Sequence, residues 1–282
     1  MSGDVEGVNG VGEMPRGSVT ARPGGCLLVR VQLPGPASAQ PRLLLQPRPG
    51  KGQSAEAGRS FVLAPVGPQE WQTSVAAEPA FEEGRWDVYV VPGPDGERLP
   101  LLPGLRDLRG LVSGGDAVQG AQVAVRIPYA TKDGRLAIRA WRRAPHVEAG
   151  RITVGRDAMT ATARLYGAGL DEGAEVSLVR RGRGSAVVRG VVSAEGGQDF
   201  TFTVGYGDLL AEVAGGAPEV WDVFVHPSAG APRVRVARLL DDIADRKSVF
   251  VYPATTLGGV SVRPYYTFDN DLSVEVTPRR SG

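Results

Sequence analysis

The chain has one cysteine, Cys26, and two histidines, His146 and His226, in 282 residues. A single cysteine excludes an internal disulfide and a cysteine-built zinc centre. Cys26 sits in the apolar run Cys26-Leu27-Leu28-Val29, which suits a buried small hydrophobe better than a nucleophile. The histidines fall in different halves, and each is expected in solvent, so neither a metal nor a cofactor is anticipated. Lysine is scarce: only Lys51, Lys132 and Lys247 among 32 basic residues. The net charge is +1, so no overall field favours nucleic acid or an anionic membrane. No run approaches the roughly 18 apolar residues of a membrane helix. Residues 1–17 carry Asp4, Glu6 and Glu13 without an apolar segment, which argues against a secretory leader. A cytoplasmic protein is the expectation. No nucleophile elbow, phosphate loop or dinucleotide fingerprint is present.

What the chain does have is 39 glycines and 22 prolines punctuating short apolar runs. Alternating segments such as 122–129 and 135–141, with turn signals at Asp95-Gly96 and Asp133-Gly134, read as strands and hairpins. Helix is expected only near 105–108 and 206–214. The block Arg85-Trp86-Asp87-Val88-Tyr89-Val90 returns as Val220-Trp221-Asp222-Val223-Phe224-Val225, displaced by 135 residues. Asp107 and Leu108 map to Asp242 and Ile243 at the same offset, and Pro128-Tyr129 and Leu136 map to Pro264-Tyr265 and Leu272 at 136. Segment 199–204 reads as the counterpart of 60–64. The fold class is therefore all-β: two tandem β-sandwich (Ig-like) domains related by internal duplication. The expected division is a disordered tail over 1–17, one domain over 18–145 and another over 150–279, with a linker at 145–150.

A determinant present in both copies is a folding determinant first. Trp86 and Trp221 therefore read as core anchors, with Trp221, Val223 and Val225 facing inward and Asp222 and Phe224 outward. Function is sought where the copies diverge. Tyr252, Arg263, Tyr265, Tyr266 and Asn270 concentrate aromatic faces, a planar cation and an amide in the second copy, a mixture suited to sugar or peptide recognition. Asp222 with Asp241 or Asp242 is the best candidate acid–base pair. The basic turn Arg180-Arg181-Gly182-Arg183-Gly184 reads as a solvated hairpin that can also meet a phosphate.

The strings Trp221-Asp222-Val223-Phe224-Val225, Arg238-Leu239-Leu240-Asp241-Asp242, Val251-Tyr252-Pro253, Arg263-Pro264-Tyr265-Tyr266-Thr267 and Asn270-Asp271-Leu272-Ser273-Val274 resemble accessory β-sandwich regions. Those regions lie C-terminal to the catalytic domain in some actinobacterial glycosyltransferases of the cell-wall-polymer kind. The resemblance covers about the last sixty residues, and the rest only through the duplication. It implies a non-catalytic module for polymer or partner contact. This chain has no glycosyltransferase domain, so no catalytic residue carries over.

Three readings follow. The first is a tandem β-sandwich that binds a carbohydrate-containing ligand or a glycosyltransferase or other biosynthetic enzyme. The second is a metal-free enzyme of secondary metabolism (cyclase, isomerase or group transferase) with its site between the domains. The third is an oligomerisation module pairing exposed edge strands.

Overall fold

The computed structural model describes residues 13–35, 40–50, 57–94, 96–112, 117–182, 186–213 and 217–278. It is all-β. The first strands are β1 (Arg16–Ala21), β2 (Leu27–Gln32), β3 (Arg42–Pro47), β4 (Arg59–Val62), β5 (Ala64–Gly67) and β6 (Glu70–Val75). There follow β7 (Gly84–Val91), β8 (Leu99–Pro100), β9 (Leu102–Asp107), β10 (Val118–Gln119), β11 (Gln122–Ala130) and β12 (Leu136–Arg143). The remaining strands are β13 (His146–Val154), β14 (Ala158–Tyr166), β15 (Glu175–Arg180), β16 (Val187–Gly196), β17 (Asp199–Gly205), β18 (Glu219–His226), β19 (Val234–Ala237), β20 (Thr255–Leu257), β21 (Val260–Tyr266) and β22 (Leu272–Pro278). The α-helices among the described residues are α1 (Arg109–Val112) and α2 (Tyr206–Ala211). None is long and apolar enough to cross a membrane.

The chain packs as two compact units. One takes its residues from Met1–Pro79, Glu83–Gly110 and Arg126–Ala140, the other from Ala80–Glu82, Leu111–Val125 and Trp141–Gly282. In the second unit the strands run β15-β16-β17-β14-β13-β19-β18, and β18 returns to pair with β15. The sandwich is thus closed into a ring of seven strands, which leaves no unpaired edge within the ring. β22, β21 and β20 extend from β18. Its core holds Trp221, Val223 and Val225 with Phe200, Phe202, Tyr206, Val274 and Tyr266, all fully buried. Each large apolar side chain so buried contributes about 1.5–3 kcal/mol before the entropy of ordering it.

The first unit follows the same path, interrupted at two corners. Its sheets are β5-β6-β2-β1-β9 and β11-β12-β7-β3-β4, with β8 paired on β7. The chain passes from β4 to β5 at Leu63 and from β8 to β9 at Leu101, both buried. Strands that change sheets at a bend make the corners of a sandwich. In the second unit β16 does the same work unbroken, pairing with β15 through Val187–Val191 and with β17 from Val191 onward.

The duplication extends to register. Ile138 lies opposite Trp86, and Val274 opposite Trp221. Leu43 faces Val90 and Val176 faces Val225. Pro100 faces Tyr89 and Arg235 faces Phe224. Both β7 and β18 bury the same alternate residues, because a period of two puts Trp86, Val88 and Val90, or Trp221, Val223 and Val225, on one face.

Several details differ from the sequence reading. Segment 145–150, read as a linker, contributes to β13, so His146 is fully buried rather than solvated. The counterpart of β17 is β6, not 60–64, since Gln72 pairs with Ala64 as Thr201 pairs with Ser193. Residues 105–107 are strand within β9, and Cys26 is only partly buried. Of the segment read as a tail, residues 1–12 lie outside the described residues, and Arg16 already opens β1. The basic turn is described only as far as Gly182.

Candidate functional site

With the core taking Trp221, Val223 and Val225, β18 must present Asp222 and Phe224 on its outer face. The register then decides their neighbours. Ser273 of β22 lies opposite Asp222, Arg235 of β19 opposite Phe224, and Tyr265 of β21 opposite Ser273. Arg181 follows directly on β15. Arg181 donates to Asp222 through Nη2 at 2.5 Å and Nε at 3.2 Å. Arg235 Nη2 donates to the same carboxylate at 2.7 Å, and Ser273 Oγ at 2.9 Å. Arg235 Nε lies 3.5 Å from Asp271, whose other oxygen accepts from Arg143 at 2.7 Å. Arg181, Asp222, Arg235, Asp271 and Arg143 therefore form one alternating chain of charges.

Burial by itself would raise the Asp222 pKa. The hydrogen bond from Arg181, the charge of Arg235 and the Ser273 hydroxyl outweigh it, and the carboxyl titrates below its ordinary range. Arg233 and Arg235 stack over the Phe224 ring at 4.5 and 4.9 Å from its centroid. Beside this network Lys247 places its Nζ 5.7 Å from the Tyr265 ring and 4.9 Å from that of Phe268, which is 49% exposed. Burial pushes the Tyr265 phenol up, partly offset by Arg181.

Tyr266, Asn270 and Asp241 serve a different structure. Arg246 is fully buried and donates through Nε to the Arg238 carbonyl at 2.5 Å, while its Nη2 pairs with Asp241. Asn270 Oδ1 accepts from the Arg246 backbone N–H at 3.1 Å, and its Nδ2 donates to the Ile243 carbonyl at 3.1 Å. Asn270 has φ of 59°, and at the matching place in the first copy Gly134 has φ of 69°. The second copy thus keeps the left-handed turn and adds an amide that fastens the 238–252 segment. Phe250 meets Tyr266 edge-on at 5.9 Å, and Tyr252 lies 6.2 Å from the same ring. Burial, followed by Tyr252, pushes the Tyr266 phenol far above its usual range.

Arg263 lies on the same outer face of β21 as Tyr265, two residues before it. It pairs with Glu275 at 2.7 Å beside an open groove of about 260 Å³ that Ala254, Ser261 and Thr277 also line. Asp222 and Asp241 are engaged by different partners: Arg181, Arg235 and Ser273 for one, Arg246, Arg238 and the Ile243 N–H for the other. Asp242 is exposed. Among the described residues no cluster of His, Cys, Asp and Glu is arranged to hold a metal ion.

No protein-family model matches the chain, and no curated protein matches it in sequence. Among solved structures it is similar to crystal structures of S. aureus TarS. For TarS residues 217–571 the identity is 13% and the TM-score 0.30, over 71% of this chain and 57% of that one. For the longer TarS chain the values are 13% and 0.31, over 73% and 38%. The chain thus spans well under two thirds of either TarS chain, and a likeness at this level carries no argument about what the protein does.

The sequence reading did not name Arg181, Arg235, Ser273, Asp271 or Arg143 as site residues, although Asp271 and Ser273 stand in the strings that carry the resemblance. Outward alternation on β18 and β22 was the available signal for Ser273. For Arg235 the signal was the pairing of segments 220–226 and 233–236 as neighbouring strands, which offers the aspartate an arginine, but the register that sets Arg235 opposite Phe224 is not in the local pattern. Glu148 was missed too. It takes the N–H groups of Leu239 and Leu240 at 2.8 and 3.0 Å and meets His146 Nε2 at 2.8 Å.

Proposed function

We propose that this chain is a non-catalytic binding module for a carbohydrate-containing ligand, with the outer face of β18 in the second unit as its site. The observation that carries the reading is the continuity of Tyr265, Lys247 and the exposed Phe268 with the Arg181–Asp222–Arg235 network. Aromatic faces stack on the apolar face of a sugar ring, and neighbouring charged groups meet its hydroxyls. Asp222 supports binding rather than proton transfer: held as the anion by Arg181 and Arg235, it is a poor general acid near neutral pH. The partner on this reading is a glycosyltransferase or another biosynthetic enzyme acting on the bound polymer.

The test is calorimetric titration of the intact chain with nucleotide sugars and wall-polymer fragments. Phe268→Ala and Tyr265→Ala are each expected to weaken binding about tenfold, equivalent to about 1.4 kcal/mol, and Arg263→Ala to weaken it less. If binding is seen and all three variants bind like the wild type, the outer face of β18 is not the site.

A further inference from the structure

The outer face of the second unit has a counterpart in the first, and one position differs between them in a way that opens a cavity. Arg48 donates to Asp87 at 2.5 Å through Nη2 and 3.3 Å through Nε, repeating Arg181 on Asp222. Arg98 stacks over Tyr89 at 5.0 Å, repeating Arg233 over Phe224. The place of Arg235, however, is held by Pro100, and that of Asp271 by Arg135. In the second unit the Arg235 guanidinium fills the space beside Asp222. In the first unit the same place is a pocket of about 40 Å³ lined by Arg48, Asp87, Tyr89, Pro100, Thr131, Asp133 and Arg135.

The chemistry of the lining narrows the ligand. The Arg48–Asp87 pair makes one wall polar and electrically balanced, and Asp133 and Arg135 add one charge of each sign. With two cations, Arg48 and Arg135, against two carboxylates, Asp87 and Asp133, the net charge of the lining favours neither a cation nor an anion. The volume holds about three waters at roughly 10–15 Å³ each, enough for two or three hydroxyl groups but not a whole sugar ring. Tyr89, with Arg98 over its ring, lines the pocket next to these donors and acceptors. We infer that the first unit carries a second binding site, which takes adjacent hydroxyls at the edge of a neutral sugar or polyol. This site stands independently of the one proposed on β18.

The test uses the intact chain with 13C-labelled tyrosine, titrated with methyl glucoside and methyl N-acetylglucosaminide, with guanidinium chloride and sodium phosphate as charged controls. The expected result is saturable movement of the Tyr89 ring signals by at least one glycoside and by neither salt. Pro100→Arg, which supplies the side chain found in the second unit, is expected to weaken that binding at least tenfold. Pro100→Met fills the pocket without charge and is expected to do the same, which covers the case in which the arginine variant fails to fold. Tyr265→Ala in the second unit is expected to leave the Tyr89 response unchanged, separating this site from the one on β18. Still Tyr89 signals with both glycosides, a stronger response to either salt, or wild-type binding by the folded Pro100 variants would overturn the inference.

Discussion

The two outer faces, one around Asp87 and one around Asp222, start from the same backbone and end differently. Both hold an arginine in a two-pronged pair with the aspartate, at 2.5 Å in each case, and both place a second arginine over the aromatic residue two positions on. The second unit then adds Arg235 and Asp271, an oppositely charged couple, where the first has Pro100 and Arg135. An arginine at 271 would repel both Arg235 and Arg143, whereas Asp271 meets each of them. The two copies thus share their inward faces and turn geometry and differ in their outward residues. The same holds at the turn before β22, where Asn270 stands in the place of Gly134 of the first copy and makes two hydrogen bonds in the same left-handed conformation.

The comparison breaks first at its shared anchors. Trp86→Ala and Trp221→Ala are each expected to cost about 3–5 kcal/mol, as cavity-forming truncations of buried aromatics do. Urea unfolding followed by circular dichroism measures both, and a cost below about 1 kcal/mol at either site would remove that tryptophan from the role of core anchor. Arg246→Ala is expected to cost about 1.5–3 kcal/mol, because it removes charged hydrogen bonds to the Arg238 carbonyl and to Asp241, while Asp241 keeps Arg238 and the Ile243 N–H. No equivalent loss is expected on the first unit's side of the comparison.

Asn270→Gly sharpens the divergence at the turn. The backbone conformation is retained, so the loss is that of two hydrogen bonds, about 1–3 kcal/mol. Gly134→Asn, the reverse exchange, is expected to change stability by less than about 1 kcal/mol. Equal effects from the two substitutions would mean that the amide does not fasten the 238–252 segment.

Asp222→Asn tests the charge network through pH. The folded pKa of Asp222 lies below its ordinary value of 3.8, so its contribution is present above that value and disappears as pH falls through the folded pKa. The wild type is therefore expected to unfold at higher urea than Asp222→Asn at pH 7, with the difference shrinking as pH falls through the aspartate range. A gap that stays constant to pH 2 would contradict the ion-pair account. The smallest effect is expected at Arg263→Ala, below about 0.5 kcal/mol, because the Arg263–Glu275 pair joins an exposed arginine to a half-buried glutamate that solvent still reaches.

Much of the fold was legible in the residues. A two-residue period in Arg85–Val90 and Val220–Val225 says which side chains face the core, and repetition of the block says that the chain folds twice in the same manner. The buried Trp86 and Trp221, the near-absence of helix and the outward Asp222 and Phe224 all follow from that local pattern. The candidate site was legible only in part. Tyr252, Tyr265, Tyr266 and Asn270 were recognisable as a concentration of unusual residues, yet two of them, Tyr266 and Asn270, are buried.

What the amino-acid order determined by itself was whatever depends on neighbours along the chain: strand periodicity, turn residues and the duplication. Tertiary structure alone decided which outward residues meet. Arg181, Asp222, Arg235 and Ser273 come from four separate stretches and converge only because β15, β19 and β22 all pair with β18. The same long-range pairing sets Pro100 beside Tyr89 and leaves open in the first unit the space that Arg235 fills in the second. Strand register is a global solution for burying two apolar faces at once, and no local pattern of residues contains it.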